Sequence, residues 1–536
     1  VLARVAPTWT QGRWTVSTSP TFFRQRQETR SEVERRQLTG IPDGVTSRDE
    51  DSVTKVRGTG FAQRTQVVYR PDQKRSWSAA IVTTRGRNRI AGDTEVVASD
   101  GAFAPYDQTL LQKGTFRVGH LSADYRAEGK KPGELLTVAG ALARFNYDAT
   151  AKFRETSSVG GLTRDLDVEA AIENVTGTLK LDYATPLGKT QRLSAGASAD
   201  WSDRTLIDRT VGRGLLTPAR NSFSRFGGDY SEYAAYATFQ GQVGDWKLLP
   251  GLRVQSRSYS LDDLGGDGPS STDLFPSLFV ERKLSRTWTG VVSYSRRIAW
   301  ADIGDLSPVL RYQSATFAMR GNPALGPETT DAFEARFSRV GKVHSFDLTA
   351  YHRITHDTFD RTIALLPGGL VVSSPINAGK RIDQGLDAGL RGRLSPSLRY
   401  NLTGNLTSVS RDVGLIGNRD RSTQYRGKLQ LDYAQGKAAD PGYDQLTFNL
   451  RYEGPVTNFQ TKRSDFVDAD LTWTHRFTPK LALVTSVSKT RTPFLYERRL
   501  DEGQGRTVRL NLIYQLGDKP QPLPPQAPSA PSIPTG

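Results

Sequence analysis

The stretch Arg506-Thr507-Val508-Arg509-Leu510-Asn511-Leu512-Ile513-Tyr514-Gln515-Leu516 decides the fold. Val508, Leu510, Leu512, Tyr514 and Leu516 fall on one face of an extended chain, while Arg509, Asn511 and Gln515 fall on the other and Ile513 alone breaks the alternation. The same period of two recurs where Leu446, Phe448, Leu450 and Tyr452 alternate with Thr447, Asn449, Arg451 and Glu453. It recurs again where Leu429, Leu431 and Tyr433 alternate with Lys428, Gln430 and Asp432. Apolar residues every second position define a strand with one greasy and one polar face. Repeated through so long a chain, that pattern reads as an all-β fold, an antiparallel transmembrane β-barrel with one face on lipid and the other on a wet lumen. A slip of one residue would drive the charges into lipid, so the register is strongly specified.

Composition agrees once the barrel is assumed. The chain has 536 residues, 36% hydrophobic and 24% charged, and its mean hydropathy is −0.50. Those values suit several soluble domains, yet helical patterning is missing and Gly (50), Tyr (19), Phe (22) and Trp (8) are plentiful. No apolar run approaches the ~20 residues that a membrane-spanning helix needs. Cys is absent, which suits an oxidising compartment. Val1 opens directly into strand-like sequence with no signal peptide, so an exported chain is expected to be processed or truncated before it. The net charge of +16 invites a nucleic-acid reading. The basic residues are instead dispersed through strands and loops, no nucleic-acid fold signature accompanies them, and they are expected either to contact outer-membrane lipid and lipopolysaccharide or to line the lumen.

Ten tight turns are expected: Gln11–Arg13, Pro71–Lys74, Gly129–Gly133, Pro186–Lys189, Gly244-Asp245, Ser285-Arg286, Gly341-Lys342, Ser395-Pro396, Gly436–Gly442 and Pro479-Lys480. Between them lie longer polar connections, at 27–55, 89–114, 151–171, 204–228, 262–271, 300–327, 357–377, 412–420, 455–463 and 492–504. Short turns on the periplasmic side and long loops outside are the barrel arrangement. Trp14, Trp77, Trp246 and Trp288 follow tight turns and Trp9 precedes the first, as an aromatic girdle would. Ten turns join twenty strands and 506–516 adds another, giving 21 visible strands. Bacterial single-chain barrels have even strand numbers, so 22 are expected, with one strand upstream of Val1. The barrel is assigned to 1–517. The Pro-rich 518–536 is expected to be a disordered periplasmic tail, with a periplasmic partner as a possible role.

Three blocks carry a family resemblance: Tyr294-Ser295-Arg296-Arg297-Ile298, then Asp305-Leu306-Ser307-Pro308, then Gly321-Asn322-Pro323-Ala324-Leu325-Gly326-Pro327-Glu328. Leu179–Tyr183 with Pro186–Gly188, Ala234–Ala237, Leu274–Leu278 and Arg506–Gly517 follow in the same order. The chain resembles the barrel region of TonB-dependent outer-membrane receptors, in the outer membrane protein β-barrel family. That resemblance implies a place in the bacterial outer membrane, a plug domain inside the barrel, not in this chain as given, and import energised by the inner-membrane TonB–ExbB–ExbD complex. In the Gly321–Glu328 block, Pro323 and Pro327 fix φ and bias their predecessors to extended geometry, a structural role in leading into the next strand.

Candidate sites are diffuse. No catalytic constellation stands out, so no enzyme activity and no cofactor is expected. His352 and His356 share a strand face about 13 Å apart, too far to hold one metal without help from another strand. Asp347, Thr349, Tyr351 and Arg353 are expected to face the lumen, as are Asn401, Thr403, Asn405 and Thr407. In the outer connection 300–327, Trp300, Arg311, Tyr312, Phe317 and Arg320 mix aromatic and cationic side chains and are the candidate ligand-binding set. The leading function is a receptor-transporter for a bulky, scarce solute: a metal chelate, an oligosaccharide or a peptide. The alternative is a structural barrel that docks a partner or surface assembly without transport.

Overall fold

A computed structural model describes residues 2–36, 47–98, 105–157, 163–214, 221–262, 266–313, 317–366, 370–413, 418–438, 440–457, 462–463, 465–496 and 499–514. One antiparallel sheet dominates. Of its 22 pieces, Leu2–Arg4 and Thr8–Gln11 both pair with Trp14–Arg36 and are one strand interrupted at Val5–Pro7, so the strands number 22 − 1 = 21. Each pairs with its sequence neighbour, and the chain reverses at all ten expected turns. Gly12 and Gly244 adopt φ of +57° and +59°, a left-handed conformation that L side chains resist. In the Pro71–Lys74 turn the Asp72 carboxylate accepts from the backbone N–H of Lys74 (2.9 Å) and Arg75 (2.8 Å).

The long connections divide into two kinds. Those at 27–55, 89–114, 151–171 and 204–228 are mostly strand, which corrects the expectation of polar loops. The eight strands from Trp14–Arg36 to Ser222–Val243 run 22–24 residues each. At about 3.3 Å per residue such a strand is about 75 Å long, against an apolar band about 25 Å tall. Much of its outer half therefore stands clear of lipid. Alternating polar sequence continues the ladder because pairing satisfies the backbone wherever it is. From Trp246–Leu261 onward the strands shorten to 10–18 residues.

The two faces are distinct. Ile81, Leu121, Leu142 and Trp201 lie in one cross-strand row through Gly177, and all four side chains are exposed on the convex side. Gly177 is needed there because the Trp201 ring lies across it and would collide with any side chain. Leu206, Phe226, Tyr259 and Leu261 are buried on the opposite, inner face.

The seam is uneven. The last strand, Arg499–Tyr514, pairs with Trp14–Arg36 only through Leu500–Gln504 and Arg30–Glu34. Lower down, the same edge is occupied by Leu2–Gln11, from Leu2 opposite Phe23 to Gln11 opposite Trp14. The sheet is thus not closed along its full height. The twenty-second strand expected before Val1, Leu516 and the Pro-rich 518–536 lie outside the described residues.

Candidate functional site

The connection 300–327 folds back against the inner wall. Asp302 caps a one-turn helix, Ile303–Leu306, by accepting from the Gly304 N–H at 2.8 Å. Ile303 and Leu306 are buried with Ala301 and Leu325 against Leu206, Phe226, Tyr259 and Leu261 of the barrel strands. Tyr259 donates its hydroxyl to the Ala301 carbonyl at 2.7 Å. After the helix, Leu310–Tyr312 pairs with Phe317–Arg320. That second strand runs parallel to Leu370–Asn377, which pairs in turn with Phe359–Leu366. The two outer connections, 300–327 and 357–377, therefore make one four-stranded sheet around Ala318, Leu370 and Val372.

The block Gly321–Glu328 is the clasp between them. Gly321 N–H donates to the Ser307 carbonyl (2.7 Å) and Asn322 N–H to that of Asp305 (2.6 Å). A Cβ on Gly321 would sit 2.5 Å from Asp305 O, so glycine is required by close backbone approach. Asn377 accepts from Gly326 N–H at 2.9 Å and donates to the carbonyls of Gly326 (3.0 Å) and Asp357 (2.8 Å). Glu328 accepts from Phe359 N–H at 2.8 Å. Asp357 itself stands at φ 54°, in the left-handed region, where the chain turns into this second connection.

Ion pairs fasten the clasp to the wall. Arg204 lies 2.5 Å from Asp302, and Arg361 lies 2.7 Å from Asp305. Arg257 stands 3.1 Å from Glu232, its guanidinium 3.9 Å above the Tyr230 ring and 5.7 Å from that of Trp300. Arg311 is half-buried and donates to the Gly304 carbonyl at 3.2 Å; desolvation lowers its pKa from the ordinary value, and the carboxylates of Asp305 and Asp208 partly oppose that shift. Three buried N–H groups around the helix make no hydrogen bond among the described residues: Trp300 Nε1, Arg204 Nε and Arg311 Nε.

The five candidate loop residues are divided by this fold. Trp300 packs on the apolar cluster beside Tyr259, their ring centroids 5.7 Å apart, and Arg311 lies beneath the helix. Tyr312 instead packs against Phe153, Leu166 and Val168 of more distant barrel strands. Phe317 pairs with Val371 in the small sheet, and Arg320 is exposed opposite Leu310. Arg204, Arg257, Tyr259 and Asn377 escape sequence reading, because only the fold brings them to the clasp.

On the wall, Asp347, Thr349, Tyr351 and Arg353 occupy the face opposite exposed Phe333 and Phe337. Tyr351 is buried; Asn405 Nδ2 donates to its hydroxyl (2.8 Å) and to Asp387 (2.7 Å), and Thr407 is also hydrogen-bonded to it. Arg353 pairs with Glu334 at 2.6 Å and covers the Tyr351 ring at 4.4 Å. His352 shares a 2.9 Å hydrogen bond with Gln384, not with a second histidine. Trp9, Trp14, Trp77 and Trp246 are exposed beside tight turns, and Trp288, half-buried, stacks on Phe337 at 4.5 Å.

Comparison with known proteins follows this geometry. Residues 128–488 match the profile of the outer membrane protein beta-barrel family. Among solved structures, the ferripyoverdine receptor of the outer membrane of Pseudomonas aeruginosa is similar at 12% identity and TM-score 0.57, with 95% of this chain and 71% of that one covered. The ferric yersiniabactin uptake receptor of Yersinia pestis is similar at 12% identity and TM-score 0.56, covering 90% and 80%. A siderophore receptor of Acinetobacter baumannii follows at 10% identity and TM-score 0.55, covering 94% and 79%. At such identities the likeness is one of fold. No curated protein matches the chain.

Proposed function

Since the chain belongs to the outer membrane protein beta-barrel family, we propose that it is the wall and outer gate of a TonB-dependent receptor that imports a bulky, oxygen-rich metal chelate. The observation that carries this reading is the pair of outer connections clasped to each other and fastened to the inner wall by the burial of Ile303 and Leu306 and by the Tyr259–Ala301 hydrogen bond. A barrel that served only as an anchor has no need of an ordered fold directed inward from its rim. The solute class is drawn from the donors. Trp300 Nε1, Arg204 Nε and Arg311 Nε are N–H groups without acceptors among the described residues, and buried donors are stable only when something accepts from them. Oxygen atoms of a chelate suit them, and the rings of Tyr230, Tyr259 and Trp300 suit its apolar or aromatic portions. The ion pairs are balanced as they stand, so the chelate gains entry by exchanging contacts with the clasp.

The test is uptake of radiolabelled iron delivered as a panel of oxygen-donor chelates, in cells with and without TonB. At least one chelate is expected to enter only when TonB is present. Its uptake should fall about tenfold in the Trp300→Ala, Arg311→Gln double variant, equivalent to about 1.4 kcal/mol. No TonB-dependent uptake of any chelate would set this reading aside in favour of a docking barrel.

A further inference from the structure

Far from the clasp, at the short-turn end of the wall, Arg476 near the end of Phe466–Thr478 is 1% exposed and is the largest fully buried side chain among the described residues. Exposed Trp473 and Phe477 lie on the other face of its strand, so Arg476 belongs to the inner wall. Ala482 stands directly opposite it and Ile513 opposite Ala482, one row across the last three strands. Tyr443, Thr474, Ala482 and Val484 are buried with it. The Arg476 backbone is fully used: its N–H donates to the Tyr443 carbonyl at 3.0 Å and its carbonyl accepts from Gly442 N–H at 2.8 Å. One end of the guanidinium is used as well, since Nη1 donates to the Pro479 carbonyl at 2.6 Å.

The other edge is not. Nε and Nη2 are buried and meet no acceptor among the described residues. These two nitrogens share one edge of the planar group, and their parallel N–H bonds match the two oxygens of a carboxylate. A charge buried without a partner is costly, and other sheltered arginines have one: Arg164 pairs with Glu155, and Arg257 with Glu232 at 3.1 Å. The carboxylates on the neighbouring strands are engaged elsewhere. Asp444 accepts from Trp473 Nε1 at 3.0 Å and lies 2.8 Å from His475 Nδ1, while Asp432 accepts from Gln430 and Thr447, both at 2.8 Å. We propose that the Nε–Nη2 edge of Arg476 is a carboxylate-binding site in the inner wall. Two sources of that chemistry are in reach. Beyond Tyr514 the sequence holds one acidic side chain, Asp518. It follows Ile513 by 518 − 513 = 5 positions, up to about 16 Å of extended chain, and two strand spacings separate Ile513 from Arg476, about 10 Å. The second source is a small carboxylate from solution.

The test is equilibrium unfolding of the full chain in detergent, followed by tryptophan fluorescence at constant pH and ionic strength. Arg476→Met keeps the apolar bulk and removes the charge. With a carboxylate on the edge, its folded-to-unfolded ratio should fall at least tenfold, because the carboxylate is left unpaired. A bare guanidinium gives a smaller loss or a gain, since an unpaired buried charge has been removed, and that result overturns the proposal. Two further arms identify the source. If Asp518 supplies the carboxylate, Asp518→Asn should lower the wild-type ratio about tenfold and leave that of Arg476→Met unchanged. If the carboxylate is free, replacing chloride by acetate should raise the wild-type ratio about tenfold and leave that of Arg476→Met unchanged. A loss in Arg476→Met with neither response overturns the proposal. Should that variant not fold, Arg476→Lys takes its place in both arms, keeping the charge without the two-point edge. It should lose most of the Asp518 or acetate response, and a full response in it overturns the proposal.

Discussion

The outer connections of the first half and those around residues 300–377 are similarly long and polar, yet they fold in opposite ways. Between Trp14 and Val243 they extend the barrel ladder, so that Arg36 still pairs with Ser47 and Thr156 with Thr163. After Ala299 the chain leaves the ladder and packs inside the rim. The placement of chain breakers accounts for the difference. In 27–55, 89–114 and 204–228 the prolines are Pro42, Pro105 and Pro218, one near the middle of each segment, and 151–171 has none. In 300–327 they are Pro308, Pro323 and Pro327, spread through the segment, where each removes a ladder donor. The first arrangement leaves a long ribbon whose side chains are free to carry charge. The second forces the backbone to find partners elsewhere, and it finds them on the wall and in a neighbouring connection.

A matched pair of glycine variants tests the comparison most severely. Gly321→Ala places a methyl group against the Asp305 and Ser307 carbonyls, whereas the same change at Gly119, on the long strands, meets open space. Gly321→Ala should destabilise the clasp by about 1–3 kcal/mol and lower uptake about tenfold. Gly119→Ala should stay within about 0.5 kcal/mol. Equal effects in denaturant unfolding and uptake would show that the two regions do not differ as described.

Asn377→Ala comes next. It strips Gly326 of both hydrogen bonds to the second connection, and leaving buried polar groups unpaired costs about 1–3 kcal/mol. Amide exchange should accelerate across 321–327 and 370–377 and remain unchanged in the long strands; acceleration in both would mean that the clasp and the ribbon are one cooperative unit. Asp302→Ala should cost about 1 kcal/mol as a lost helix cap. Its pair with Arg204 adds little, since the Asp302 side chain is 61% exposed. Limited proteolysis within 300–313 reads that change.

The smallest effect is expected of acid at a tight turn. The side-chain hydrogen bond from Arg75, aided by the backbone N–H of Lys74, holds the Asp72 carboxyl below its ordinary value of 3.8. A carboxyl depressed in the folded state adds stability that is present above 3.8 and is lost as pH falls through the lower folded value. Exchange at Lys74 and Arg75 should therefore rise at low pH in wild type, beyond the intrinsic pH trend, and show no such extra rise in Asp72→Asn.

Sequence alone makes the barrel legible because its information is local. Alternation sets each strand, and Gly, Pro or Asp sets each turn. The clasp is not local. Asn377 meets Gly326 across 51 residues and Arg204 meets Asp302 across 98, so no window of sequence contains either contact. Trp300 and Arg311 stand out by residue type, and the fold does bring those two around the helix. Tyr312, Phe317 and Arg320 share that type but are carried elsewhere by strand alternation and by the edge of the small sheet.

The seam between Trp14–Arg36 and Arg499–Tyr514 bears on the order in which the molecule can assemble. Every tight hairpin closes over a few residues, whereas Gln504, which meets Arg30, lies 504 − 30 = 474 positions further along the chain. Bringing together ends so far apart costs about 5 kcal/mol in chain entropy, of the same order as what the five pairs from Leu500 to Gln504 return at about 1 kcal/mol each. Growth therefore proceeds hairpin by hairpin around the wall, and this joint is the last to zip and the easiest to part sideways.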